Sequence, residues 1–230
     1  MAGVSRLQYT TEIKIIRLMC TGRVDLAFIL RAFLNGADGV LVGGCWPGEC
    51  HYVTEGNYDA LANMHLCRKL LEHIGLNPER LRLEWIAASE GTRFAEIMDD
   101  FVKKLKQLGP LGKGEGIDKN GLKFKLEAVN KLIPYIKLVE RERLRVPTKS
   151  EEAYNKFYAS DEVNRLFKEL IGDKLAISQI MLLLGKNPLS TAEISEIVGL
   201  NPSEVSRHMN SSLRQGLVRY DVNRKCYTLS

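Results

Sequence analysis

Three cysteines stand where the chain turns out of hydrophobic runs. Cys20 follows Ile13-Lys14-Ile15-Ile16-Arg17-Leu18-Met19, Cys45 follows Val40-Leu41-Val42-Gly43-Gly44, and Cys50 closes Cys45-Trp46-Pro47-Gly48-Glu49-Cys50. Thiolates offered from two loops, with glycines leaving room for inorganic sulfide, suit an iron–sulfur cluster. A cluster normally takes four protein ligands, and these residues supply three. Three other readings stay open on spacing alone. Zinc would use a Cys₃His set with His51 beside Cys50. A reactive thiol would draw on Arg23 near Cys20. Each cysteine also suits a small buried hydrophobe. Cys67, inside a helical pattern, and Cys226, inside a strand pattern, read as core residues. His51, His65, His73 and His208 are scattered and assemble no Cys–His–Asn arrangement. No Walker loop and no G-x-G-x-x-G is present, and Gly112-Lys113-Gly114-Glu115-Gly116 follows a helix, so it reads as a linker.

The elements around these thiols read as α/β. The β-branched run 13–19 predicts a strand ending at Cys20, and residues 24–34 carry helical spacing up to the stop Asn35-Gly36. Val40-Leu41-Val42 is wholly apolar, as a strand buried on both faces requires. Residues 58–74 are helical, 81–86 form a third strand, and Ser89 is placed to cap a helix over 90–108 that stops at Gly109-Pro110. The order β-α-β-α-β-α predicts a flavodoxin- or Rossmann-like parallel sheet with right-handed crossovers. Ligands of such sheets sit beyond the carboxyl ends of the strands, where Cys20, Cys45 and Cys50 all fall.

Composition narrows the class. The 230 residues are 45% hydrophobic and 27% charged, which fits a globular chain rather than disorder or a coiled coil. No apolar window is long enough to span a bilayer, and residues 1–8 lack the apolar centre of a signal peptide, so a reducing cytoplasm is expected and a disulfide framework is not. Charge divides the chain: residues 1–110 hold 13 Lys+Arg against 13 Asp+Glu, whereas 111–230 hold 20 against 15 and carry the whole net +5.

Residues 3–110 resemble the delta (iron–sulfur) subunit of methyl-viologen-reducing hydrogenase. The resemblance rests on Gly3-Val4-Ser5-Arg6-Leu7-Gln8-Tyr9, Leu18-Met19-Cys20-Thr21-Gly22-Arg23-Val24-Asp25, and Ala37-Asp38-Gly39-Val40-Leu41-Val42. It continues through Gly44-Cys45-Trp46-Pro47-Gly48-Glu49-Cys50-His51-Tyr52, Gly56-Asn57, and Arg80-Leu81-Arg82-Leu83-Glu84-Trp85-Ile86. It implies a [2Fe–2S] cluster near Cys20, Cys45 and Cys50. It also implies an electron-transfer subunit that links a hydrogenase or formate dehydrogenase module to a heterodisulfide-reductase-like flavoprotein and makes no substrate bond itself. Family members usually carry a strand and a C-x-x-C loop just upstream of the Ser-Arg-Leu-Gln-Tyr segment. The first strand and further cluster ligands are therefore expected upstream of Met1. One expectation is a selenocysteine codon read as a stop, with Met1 at the restart; a genuine truncation with a lost cluster is the alternative. Trp46 stands where the family often has His.

The second half reads as helical. Residues 122–139 are Lys-rich and interrupted by Pro134, 140–145 form a solvated charged end, and further helices follow Ser150 and over 163–171 and 175–184. Residues 189–230 follow a winged helix-turn-helix: a helix over 191–198, a turn at Gly199-Leu200-Asn201, a second helix over 202–215 capped by Asn201, and a β-hairpin to Leu229. Ser203, Ser206, Arg207 and Asn210, with Arg224 and Lys225 on the wing, would meet DNA. Residues 186–230 carry six Lys+Arg against four Asp+Glu, a thin footprint for phosphate that favours docking over DNA. The expected organisation is an iron–sulfur domain over 1–110, a linker and helical region over 111–180, and a winged helix over 181–230. A redox-sensing transcriptional regulator is the alternative to the relay, and a zinc scaffold is a third.

Overall fold

The computed structural model describes residues 7–230; residues 1–6, including the Gly3 to Arg6 part of the resemblance, lie outside the described residues. Two strands, β1 (Val40–Gly44) and β2 (Leu81–Trp85), pair in parallel from Val40 opposite Leu81 to Gly44 opposite Trp85. Parallel neighbours need a long crossover, supplied here by α2 (Gly56–His73). Before β1 lies α1 (Leu26–Leu34), opened by Asp25, whose carboxylate accepts the Ala27 N–H at 2.8 Å. Its Leu26, Ile29, Leu30 and Phe33 fall on one face at three- and four-residue steps, and all are buried. After β2 comes α3 (Gly91–Leu108).

Two local expectations change. Residues 13–19 form no strand: Ile16 is 83% and Met19 92% exposed. Strand propensity needs a paired neighbour to act, and neither two-stranded sheet of the described residues takes them in. The residues just before are tied to α3 instead, with the Tyr9 ring edge-on to Phe94 at 5.2 Å and the Thr10 N–H donating to Asp99. Ser89 does not cap α3. Glu90 occupies the cap position, and its carboxylate turns back to accept the Ala87 N–H at 2.6 Å and the Trp46 indole N–H at 2.8 Å.

Residues 112–116 are pinned rather than slack. Glu115 accepts hydrogen bonds from the N–H groups of Gly112 and Asn77 and from the fully buried Arg80. Beyond them α4 (Lys119–Arg143) runs unbroken through Pro134, which faces outward, where the backbone acceptor it strands can meet water. Then come α5 (Glu151–Ala159), capped by Ser150, and α6 (Asp161–Leu166). A π-helical turn, Phe167–Gly172, leads into α7 (Asp173–Leu184).

One apolar core extends from Val24 to Leu175 and takes in α1, α2, both strands and α4 to α6. A second, from Ile180 to Tyr227, belongs to the winged helix. Here α8 (Thr191–Val198) and α9 (Pro202–Arg214) each open with a capping box, Ser190 with Glu193 and Asn201 with Glu204. Gly199 makes the left-handed turn between them at φ +76°. The wing is the antiparallel pair β3 (Val218–Asp221) and β4 (Cys226–Leu229). Among the described residues no helix is long and apolar enough to cross a membrane.

Candidate metal centre

The fold brings Cys20, Cys45 and Cys50 together at the carboxyl end of β1. Cys20 caps a single 3₁₀ turn, Thr21–Arg23, and its Sγ accepts the Gly22 N–H at 3.4 Å. Cys45 leaves β1, and its carbonyl accepts from the side-chain amide of Asn57 in the first turn of α2. Between Cys45 and Cys50 the chain folds back through a Glu49 N–H to Trp46 O bond of 2.9 Å. The far side of that loop is held by the Trp46–Glu90 bond and by the Arg93 guanidinium, 5.1 Å from the Trp46 ring centre.

Gly56, the first residue of α2, makes the gathering possible. A Cβ there would sit closer than 3.0 Å to Cys50 Sγ and 3.6 Å from Cys20 Sγ, so both sulfurs lie over its Cα. The turn after Cys20 also presses on it, since a Cβ on Gly22 would be 3.0 Å from Gly56 Cα. Burial, a hydrogen bond with the Cys50 thiol, and the charges that Cys50 and Cys20 would carry push the Cys45 thiol up. The Cys45 thiolate is therefore disfavoured unless a nearby cation offsets those causes. Among the described residues no group of three or more His, Cys, Asp or Glu side chains is set to hold a single metal ion.

The other candidates separate cleanly. His51 is exposed, its ring edge-on to Tyr52 at 5.2 Å. Cys67 is fully buried in α2, and burial raises its thiol pKa to about 12. Cys226 is buried under the wing, and all five thiols are free. His65 stacks on Tyr158 at 5.0 Å and bonds Asn155, while His73 lies against Phe167 at 5.7 Å. Gly56, Asn57 and Thr21 have roles that spacing does not reveal, because each acts through a contact across the fold. The Gly56-Asn57 pair at the start of a helical pattern is the one local trace of them.

The winged helix presents α9 outward. Ser203, Arg207, Asn210 and Arg214 are exposed, Ser206 is half-buried, and together they line one open surface. Arg207 is tied back to Asp173 of α7 at 3.0 Å, and Arg224 lies 3.9 Å from Asp221.

Comparison with known proteins matches residues 1–109 to the methyl-viologen-reducing hydrogenase delta subunit family. The iron-sulfur subunit of the F420-non-reducing hydrogenase of Archaeoglobus profundus is 53% identical over 110 residues, which are 48% of this chain and 80% of that protein. The chain belongs to the delta-subunit family. A second member, the vhc iron-sulfur subunit of the F420-non-reducing hydrogenase of Methanococcus voltae, is 49% identical over 47% of this chain and 75% of its own length. A comparable stretch, 49% of this chain, is 48% identical to part of a larger protein of Methanosarcina acetivorans. That protein is a subunit of the ferredoxin/F420H2-dependent CoB-CoM heterodisulfide reductase, and the match covers 14% of it. Residues 178–220 match the arsR family of bacterial regulatory proteins, so the delta-subunit region is fused to a winged helix of that type.

Proposed function

We propose that this chain is an iron–sulfur electron-transfer subunit of a cytoplasmic oxidoreductase complex, with its iron–sulfur domain over 1–110 and its winged helix over 181–230. Cys20, Cys45 and Cys50 would hold the group, a [2Fe–2S] cluster. The observation that carries this reading is the seating of the Cys50 and Cys20 sulfurs over a glycine that leaves them room, with the Cys45 thiol hydrogen-bonded to Cys50 beside them. The residues fit three of the four ligand positions such a group normally takes: the donors are soft thiols, and ligands spread over two irons need not close on a single ion. When bound, such a cluster would supply one-electron redox chemistry. The protein's own part is to hold the thiols fixed, through the Cys20 turn, the Asn57 bond to Cys45 and the Trp46–Glu90 anchor. Its partners would be of two kinds, a hydrogenase or formate dehydrogenase module and a heterodisulfide-reductase-like flavoprotein. The names of the relatives support the hydrogenase and the heterodisulfide reductase. Anaerobically purified full-length protein is expected to contain iron and acid-labile sulfide and to co-purify with such a flavoprotein. Zinc in place of iron, or turnover of an organic substrate by the chain alone, would overturn the proposal.

The exposed α9 surface and the arsR-family match favour a second reading, a redox-responsive DNA binder. It requires tight, sequence-specific binding that changes between oxidised and reduced protein. The pairing of Arg207 with Asp173 and the small net charge support docking to a partner protein instead.

A further inference from the structure

Thr21 holds a buried hydroxyl that nothing in the fold satisfies. Its residue is 9% exposed, and Oγ1 is shut off from solvent with no hydrogen-bond partner among the described residues. Folded proteins rarely leave a buried donor orphaned, because water satisfied it before folding. A valine would fill nearly the same volume without that cost, so the hydroxyl is available to an acceptor from outside the polypeptide. Two other buried hydroxyls lack partners, on Tyr158 in α5, which stacks on His65, and on Ser212 in α9.

Thr21 stands beside the thiols. It follows Cys20 directly, in the turn whose Gly22 N–H donates to Cys20 Sγ. Across the gap its side chain lies flat on Gly44, the residue before Cys45: a Cβ on Gly44 would meet Thr21 Oγ1 and Cγ2 at 2.9 Å and the Trp85 ring at 3.1 Å. The hydroxyl is thus walled in between the two loops that offer Cys20 and Cys45. Trp85 and Gly44 shield it from water, and neither offers it a side-chain oxygen.

We infer that the Thr21 hydroxyl donates a hydrogen bond to a sulfur of the group held by Cys20, Cys45 and Cys50, and that it raises the reduction potential of that group. The inference rests on the iron–sulfur reading above. Adding one electron increases negative charge on the sulfurs, so a donor aimed at them favours the reduced state. Thr21 acts through that bond as a positioning and tuning residue, not as a ligand.

The test compares the full chain with Thr21→Val and Thr21→Ser, each reconstituted anaerobically with iron and sulfide. Iron and sulfide content and the midpoint potential are measured on each. The expected result is equal loading, a midpoint moved to more negative potential in Thr21→Val, and a wild-type midpoint in Thr21→Ser. A loaded Thr21→Val with an unmoved midpoint overturns the proposal, as does a Thr21→Ser midpoint that moves as far as the valine's. Should Thr21→Val fail to load, Thr21→Ala removes the hydroxyl without crowding and carries the same expectation. Failure of both to load while Thr21→Ser loads would assign the hydroxyl to assembly and overturn the proposed effect on potential. A wild-type chain that takes up neither iron nor sulfide would defeat the iron–sulfur reading itself, an outcome distinct from a loaded centre with an unchanged midpoint.

Discussion

Gly56→Ala separates the thiol site from the stability of the fold. The new Cβ would lie within 3.0 Å of Cys50 Sγ, 3.4 Å from Tyr52 Cβ and 3.6 Å from Cys20 Sγ. Non-bonded carbon contacts are comfortable at about 3.5–4.0 Å, so the last two are tolerable and the first is not. Cys50 Sγ must retreat by on the order of 1 Å, whereas a metal–ligand distance tolerates only about 0.2 Å. Crowding a packed site costs about 1–3 kcal/mol. Alanine returns at most about 1 kcal/mol of helix propensity, and less in the first turn. The net loss is therefore about 1–2 kcal/mol, and for a chain of this size each kcal/mol lowers Tm by about 2–4 °C. Two measurements read the result: iron and sulfide per chain after anaerobic reconstitution, and the midpoint of thermal unfolding of the metal-free protein. Iron content is expected to fall several-fold while the folded state survives. Wild-type iron and sulfide in a folded Gly56→Ala protein would refute the idea that this glycine makes room for the sulfurs.

Further predictions concern the frame. Arg80, fully buried, bonds the carbonyls of Asp38, Leu108 and Pro110 as well as Glu115, so Arg80→Ala should cost about 3–5 kcal/mol in chemical denaturation by stranding the Glu115 carboxylate and those carbonyls. Burial pushes Glu115 up, but the Arg80 bond and the N–H groups of Asn77 and Gly112 outweigh it and hold the carboxyl low. The stability this contributes is present above the ordinary glutamate range and lost as pH falls through the lowered folded value; a pH series should show that loss in the wild type and a flatter profile in Arg80→Ala. With its thiol raised to about 12 and no solvent contact, Cys67 should resist iodoacetamide in the native metal-free protein at pH 8 and be labelled only on unfolding, whereas the half-buried Cys20 reacts first, as peptide mass spectrometry would show.

Elements with a complete local signal were legible from sequence, and those that depend on a neighbour were not. Helix α1 announces itself through its apolar stripe and its stop at Asn35-Gly36, and α9 through Asn201 and Pro202, because caps and periodicity act within a few residues. The run 13–19 has strand composition, yet a strand is a pairing and not a property of one segment. At the start of α3 Glu90, not Ser89, holds the cap position, and its carboxylate is bonded to Ala87 and Trp46 rather than to the helix, contacts that no local signal shows. At the thiol site, the strand-end rule reached Cys45 and Cys50 through β1, but it reached Cys20 through a run that forms no strand. The contributions of Gly56, Asn57 and Thr21 are fixed by contacts between residues up to tens of positions apart, which no spacing encodes.

The charge on the winged helix bears on whether it reads DNA. Five cations lie along α9 and the wing: Arg207, Arg214, Arg219, Arg224 and Lys225. Arg207 is already engaged by Asp173 and Arg224 sits near Asp221, which leaves three with no ion pair among the described residues. Each phosphate neutralised contributes about −0.9 to the slope of log K against log salt, so three free cations give a slope of about −2.7 per chain. Sequence-specific binders that make 6–10 phosphate contacts show slopes about two to three times as steep. Anisotropy titrations with duplex DNA from 50 to 200 mM salt are expected to give weak, sequence-indifferent binding on this shallow slope. Asp173→Asn should free Arg207 and steepen the slope by about one. A steep slope in the wild type, with nanomolar preference for one sequence, would show that the paired arginines turn to phosphate on binding, and would move the winged helix from partner docking to DNA recognition.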